Sequence, residues 1–306
     1  AAADEQELDI YTNQLVTILE QAAIDRSEIL DLEVAWLIRQ HLWLIAPDRL
    51  EYVLELVIWD RELDKLASAS LIDRQVYELL ETAKIGSIDE DLLERLLRAL
   101  IDIHTELSIK IIKLCLELTE SKHDLIVSKA VSTAFKLFHK DGIIPFAVKL
   151  AETCNVIKPN QLGTLQVLIS FYSIVGDYNK ATETAEQYYR LAPDVVDRLI
   201  GSYLIQQAHF TAGSWENAQS IVDCHRQLLS EIIQIPPQNP HQAQNQGMLI
   251  SSFFLPYTED NPLINKQLQN KLANIYQQNI IQKEAKSKQE KSKLPKKTGC
   301  LRIGYV

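Results

Sequence analysis

From Ile88 to Leu107 apolar positions recur every three or four residues, as in DLLERLLRALIDIHTEL, where Leu93, Leu96, Leu97 and Leu100 share one helical face. Ser87 followed three residues later by Glu90 predicts a capping box that opens this helix. Further on, Asn261-Pro262 predicts another helix start, with Leu268, Leu272 and Ile275 falling on one side. Most of the chain reads this way: long stretches of Leu, Ile, Ala and Glu with few breakers. The exception is LRIGYV at 301–306, apolar and without a helix signal, which reads as a buried strand.

A repeat organises the middle of the chain. Gly142, Ala147 and Pro159 recur 34 residues later as Gly176, Ala181 and Pro193. A third copy follows 37 residues on, with Gly213 and Ala218 but Ser230 in place of the proline. Other positions agree in type: Phe138, Tyr172 and His209; Ala151, Ala185 and Val222; Ile144, Tyr178 and Trp215. Each feature has a physical reason. The glycine permits the left-handed backbone that ends a first helix. The alanine five residues later lets two helices approach closely, with Tyr172 and Tyr178 filling the wider gap beside it. The proline cannot continue the second helix. This period and order resemble tetratricopeptide hairpins, which cannot bury their apolar faces alone and must stack. The expected fold is therefore all-α: a right-handed α-solenoid of helical hairpins with a concave face.

Domain boundaries follow from the same pattern. Residues 128–232 hold the repeats that keep register. Residues 1–127 read as a degenerate part of the same solenoid, since Ala35 and Pro47 repeat the Ala-to-Pro interval. Residues 234–247, QIPPQNPHQAQNQG, read as a proline- and glutamine-rich break, and 233–280 as that break with a capping helix. Residues 281–298 read as a lysine-rich, solvated linker, with seven lysines against two glutamates over 282–297. Residues 299–306 read as the start of another domain. The chain opens AAADEQ without methionine and stops at Val306 inside an apolar run, so both ends read as cuts in a longer protein.

Charge and cysteines narrow the classes. A net charge of −10 disfavours nucleic acid as a partner. No stretch is apolar and charge-free enough to span a membrane, and no secretory signal is visible. Cys115, Cys154, Cys224 and Cys300 are widely spaced with no CxxC pair, which predicts reduced thiols and a cytoplasmic protein.

Catalytic patterns are lacking: there is no phosphate-cradling glycine loop, HExxH, GxSxG or EF-hand. The seven histidines are dispersed, and Cys224-His225, adjacent on a helix, point apart and make a poor metal pair. Asp89-Glu90-Asp91 reads as first-turn charge on a helix dipole. His209 reads as a packed side chain. Tyr188, Tyr189, Phe253 and Phe254 read as packing between repeats. No catalytic, cofactor-binding or metal residue is assigned, and the expected partners are proteins or peptides on the concave face.

Taken together, the repeats, then FFLPYTEDNPLINKQLQNKLANIYQQN, a lysine-rich segment and LRIGYV resemble the SPINDLY-like branch of O-linked N-acetylglucosamine transferases, bacterial members above all. The resemblance implies that Leu301 to Val306 open a Rossmann-like glycosyltransferase domain. It implies a parent enzyme that uses a UDP-sugar donor, N-acetylglucosamine, on Ser or Thr hydroxyls of proteins. The repeats would select the protein substrate, and a homodimer through them is allowed. None of that family's donor-binding or catalytic residues lies in this chain. The alternative reading is a stand-alone repeat adaptor without enzymatic activity.

Overall fold

The computed structural model describes residues 2–292 except 48, 120, 121, 215–217, 239, 259 and 260. Every regular element among the described residues is an α-helix. The chain divides into two compact units, one ending at Val167 and the other starting at Leu168.

The first unit contains α1 (Ala2–Glu28), α2 (Leu32–Ile45), α3 (Leu50–Glu62), α4 (Ser68–Asp73), α5 (Val76–Glu81), α6 (Glu90–Ile101), α7 (Glu106–Leu118), α8 (His123–His139), α9 (Ile144–Ile157) and the start of α10 (Leu162–Val175). Neighbours in sequence pack as pairs, α1 on α2, α6 on α7 and α8 on α9, while α3 reaches past the short α4 and α5 to pack on α6. The α6 stripe is buried as its spacing predicts, Leu96 and Leu100 completely. Its cap differs from the expectation. Asp89 caps α6, accepting from the Asp91 and Leu92 amides at 2.8 and 3.0 Å. The Ser87 hydroxyl is held by the preceding turn, donating to the Lys84 carbonyl. A carboxylate next to the first helical residue meets both free N–H groups and the helix dipole, which a serine two residues earlier cannot reach.

The second unit contains the rest of α10, then α11 (Tyr178–Leu191), α12 (Val195–Thr211), α13 (Ala218–Gln234), α14 (Gln242–Ile250), α15 (Leu255–Thr258) and α16 (Pro262–Ser292). Helix α12 is its hub, packing on α11, α13 and α14. Two glycines set the spacing. A Cβ at Gly201 would lie 2.9 Å from the Tyr189 Cα, and one at Gly247 would meet Ile200 Cδ1 at 2.5 Å. Two expected boundaries move. The break is shorter than 234–247, because His241 and Gln244 form a capping box that starts α14. The linker expected from 281 is helical through Ser292, since Lys, Glu, Gln and Ala are good helix formers even without an apolar face. Residues 293–306, including Cys300 and the LRIGYV segment expected to be a strand, lie outside the described residues.

The repeat positions take matching places. Gly176 and Gly213 sit at φ +84° and +67°, each followed by an amide that donates back to the same relative carbonyl, Asp177 to Tyr172 at 2.9 Å and Ser214 to His209 at 3.0 Å. Ala35, Ala147 and Ala181 are each the fourth residue of a 14-residue helix, and all three are fully buried. The amino-terminal Ala-to-Pro interval thus corresponds to the same helix length and the same buried position as in the two best copies.

Candidate functional site

The densest polar network of the first unit grows from α3. Glu55 and Trp59, one turn apart, put a carboxylate beside an indole, and the Trp59 Nε1–H donates to Glu55 at 3.0 Å. Arg95 of α6 closes on the same carboxylate with both terminal nitrogens, at 2.9 and 3.4 Å. Arg39 of α2 lies 4.6 Å from the Trp59 ring and 3.6 Å from Glu55. Burial, and next the repulsion of Arg95, lower the Arg39 pKa while Glu55 raises it. Further along α6, Glu94 takes Lys129 of α8 at 2.6 Å together with Arg98. The Lys129 hydrogen bond first, and Arg98 second, hold the Glu94 carboxyl below its usual range. Arg61 donates to Asp102 and Glu62, both at 2.9 Å.

These side chains edge three adjoining depressions. The largest, about 630 Å³, lies between the α1–α2 turn, α3 and α6, with Leu30, Trp59, Arg61, Arg95 and Arg98 in its walls. The second, about 420 Å³, lies between α6 and α8 and shares Arg98 with the first. The third, about 300 Å³, lies between α8 and the start of α10, shares Ser128 and Ser132 with the second, and includes Phe135. They form a row of adjoining depressions, called the groove below, cationic at the α3 end and lined by hydroxyls, an amide and Phe135 at the α10 end. Leu30 stands at its rim with φ +60°, the residue 80% exposed, in a conformation that glycine adopts at the later turns.

A second network lies inside the second unit. His225 is almost fully buried, with Nε2 2.8 Å from the Ser251 carbonyl and Nδ1 2.7 Å from the Ser202 hydroxyl. A carbonyl only accepts, so Nε2 carries the proton, and the single Ser202 hydroxyl hydrogen is shared between Nδ1 and the Leu199 carbonyl, 2.8 Å away. Burial pushes the His225 pKa down to about 4, with a smaller lowering from Arg226. A serine beside a neutral imidazole has the parts of an activated nucleophile. Here no carboxylate hydrogen-bonds to the ring, and Ser202 is itself buried, so the pair ties α12, α13 and the end of α14 together.

The remaining chemistry-bearing residues are placed as follows. Burial raises the Cys115 and Cys154 thiols to about 12, which suppresses thiolate reactivity; Cys224 is exposed, 3.6 Å from the Tyr189 hydroxyl. No group of three or more His, Cys, Asp or Glu among the described residues is placed to hold a metal. No described helix is long and apolar enough to cross a membrane. Among the repeat positions, Tyr172 is buried, Gly142 has φ +73°, Ala218 opens α13, and Pro159 and Pro193 lie in the turns after α9 and α11. Tyr178, expected to fill the gap beside Ala181, is 37% exposed, because the first residue of α11 sits at the hairpin turn rather than between helices. Trp215 lies outside the described residues. Tyr188 is buried against Gly201, and Phe254 stacks on Tyr203 and meets Phe210 edge-on, whereas Phe253 is 56% exposed. Sequence reading singled out neither the groove nor His225–Ser202. The groove's walls come from the α1–α2 turn, α3, α6, α8 and the start of α10, and no short motif links them.

A scan against protein-family models and a search of curated proteins each find no match for the chain.

Proposed function

We propose that this chain is a protein-interaction scaffold, a right-handed α-solenoid of tetratricopeptide-type hairpins that holds extended segments of other proteins. The observation that carries the reading is the row of adjoining depressions across α3, α6, α8 and the start of α10. A long, open row walled by successive helices suits a peptide better than a small molecule, which calls for an enclosed pocket. The matched turns at Gly176 and Gly213 and the matched alanines support the repeat assignment. The test is an array of linear peptides probed with the full chain, followed by amide exchange on the bound form. Capture of a peptide subset with protection along α3, α6 and α8 is expected. Binding to no peptide sinks the scaffold reading, and protection confined to α13–α16 sinks the groove as its seat.

On this reading the scaffold is the substrate-recognition arm of a UDP-N-acetylglucosamine-dependent protein O-glycosyltransferase. What supports this is the resemblance carried by the repeats together with Leu301 to Val306. An arm of this kind raises the rate by positioning the acceptor protein, while donor binding and chemistry occur elsewhere. The coding sequence past Val306 tests it. An early histidine and a UDP-binding lobe support the enzyme, and a stop codon there leaves a stand-alone adaptor. Purified 1–306 is expected to neither hydrolyse nor transfer a UDP-sugar.

A further inference from the structure

The groove has a chemical direction, and its charges are arranged asymmetrically in depth. The side chains of Glu55 and Glu94 are only 25% and 13% exposed, whereas those of Arg61, Arg95 and Arg98 are 44%, 45% and 66% exposed. Glu55 and Glu94 therefore lie beneath Arg95 and Arg98 rather than in front of them, whereas Arg61 is paired with the more exposed Glu62 and Asp102. Each guanidinium has five N–H donors. Glu94 engages a single terminal nitrogen of Arg98, and Glu55 engages the two terminal nitrogens of Arg95 from one side. Donors remain to face the groove, on heads already held in place, so a ligand that uses them loses less side-chain freedom. Partly buried carboxylates that position exposed arginines make a receptor for anionic groups.

The apolar features point the same way. Leu30 holds a left-handed backbone conformation, strained for a residue with a Cβ, at the rim of the cationic end. Its side chain is exposed instead of packed, so the strain gains no core contact. At the other end Phe135 is 47% exposed and lines the smallest of the three depressions beside Gln161 and Thr164. Cationic heads flanked by two exposed apolar side chains match a peptide that alternates acidic and apolar residues.

We propose that the α3–α6–α8 groove is the docking site for an acidic, extended peptide segment of another protein, its carboxylates taken by Arg95 and Arg98 and its apolar side chains set against Leu30 and Phe135. This rests on the scaffold reading and names the partner's chemistry. Nucleic acid is the wrong occupant, because a phosphate backbone needs a continuous basic stripe, whereas the α10 end is lined by Ser128, Ser132, Gln161, Thr164 and Phe135.

The experiment is fluorescence anisotropy of the full chain with a fluorescein-labelled synthetic peptide of glutamates with leucine at every third position. Its controls are a twin with glutamine for glutamate and a labelled oligothymidylate. The acidic peptide is expected to bind at least about tenfold tighter than its twin, the scale of one charge-assisted contact. Arg98→Gln is expected to weaken binding about tenfold, and Leu30→Gly to weaken it severalfold with no loss of melting temperature, since glycine relieves the backbone. That divergence separates a docking role from a structural one. Equal binding of the two peptides, unchanged affinity in both variants, or tighter binding of the oligothymidylate overturns the proposal. If the acidic peptide binds but both variants bind it normally, the groove is the wrong seat and the scaffold reading survives. If the peptide array also stays blank, the scaffold reading falls as well.

Discussion

The two units deal with their polar groups in opposite ways. The first matches ionic groups to ionic groups: Glu55 with Arg95 and Arg39, Glu94 with Lys129 and Arg98, Asp60 with Arg74. The second uses mainly neutral partners at its helix junctions, His225 between Ser202 and Ser251, and the Asn265 amide on the Leu255 carbonyl. Ion pairs at a surface are cheap to expose and can be shared with a ligand, whereas buried neutral hydrogen bonds are costly to break and offer nothing to a partner. The contrast teaches where to look for binding. The first unit's charges border a groove, and the second unit's polar groups hold helices together.

The largest expected effect tests the one deeply buried ion pair in this contrast. Asp60 is 2% exposed, accepts from Trp36 Nε1 at 2.7 Å and pairs with Arg74 at 2.6 Å. Asp60→Leu leaves the Arg74 guanidinium buried without its counter-ion, at an expected cost of about 3–5 kcal/mol. The double variant Asp60→Leu/Arg74→Met is expected to recover most of it, because desolvation then falls on neither charge. Urea unfolding of the three proteins measures this. A double variant no more stable than the single one shows that the pair does more than cancel its own desolvation.

The next effect belongs to the second unit and has the opposite electrostatic origin. His225 has a folded pKa of about 4 against 6.5 when exposed, so the unfolded chain binds the extra proton between those values. Stability is therefore full above pH 6.5, declines as pH falls, and levels off near 4, with a loss on the order of 3 kcal/mol. Asp197 works the other way: burial, and then Asp194, raise its pKa, so protonating it on acidification favours the folded state. Comparing unfolding midpoints at pH 7 and pH 5 for the native chain and His225→Gln isolates the histidine. The native chain should lose more on acidification than the variant; parallel losses would remove His225 as the source.

Helix contacts come third. Gly201 of α12 meets the backbone of α11, and an added methyl would sit 2.9 Å from the Tyr189 Cα, an atom that cannot swing away. Gly201→Ala is expected to cost about 1–3 kcal/mol by overpacking, despite alanine's better helix propensity. A melting temperature equal to that of the native chain would show that the two helices can separate without cost.

What could be read from the sequence was local chemistry. The α6 face, the Asn261-Pro262 start of α16 and the glycine turns at 176 and 213 each depend on residues within one or two turns of each other. Misreadings began where two local signals competed. Ser87 and Asp89 both fit a cap, and only the path of the preceding turn, which occupies the Ser87 hydroxyl, decides between them. The lysine run looked like a tether because it has no apolar face, yet its helix propensity carries α16 to Ser292. The groove and the His225 junction were illegible for a different reason. Ser202 and His225 are 23 residues apart, and Arg95 and Glu55 are 40 apart. Nothing in either residue's neighbourhood names its partner; the pairing exists only once α12 lies on α13 and α3 on α6.

The smallest expected effect is the counterpart of Gly201. Gly163, in the first turn of α10 and in the wall of the groove, has nothing within 4 Å of where a Cβ would stand. It keeps a helical backbone without the positive φ of Gly176 or Gly213, so alanine fits without strain. Gly163→Ala removes unfolded-chain freedom and adds helix propensity, and it is expected to stabilise by about 0.5 kcal/mol. The same substitution thus changes sign between the two units, destabilising where helices touch through the glycine and stabilising where the glycine borders open space. Differential scanning calorimetry of the two variants side by side checks this. A lowered melting temperature for Gly163→Ala would mean that the open space beside α10 is occupied in solution, and the groove would then be closed at the end where Phe135 stands.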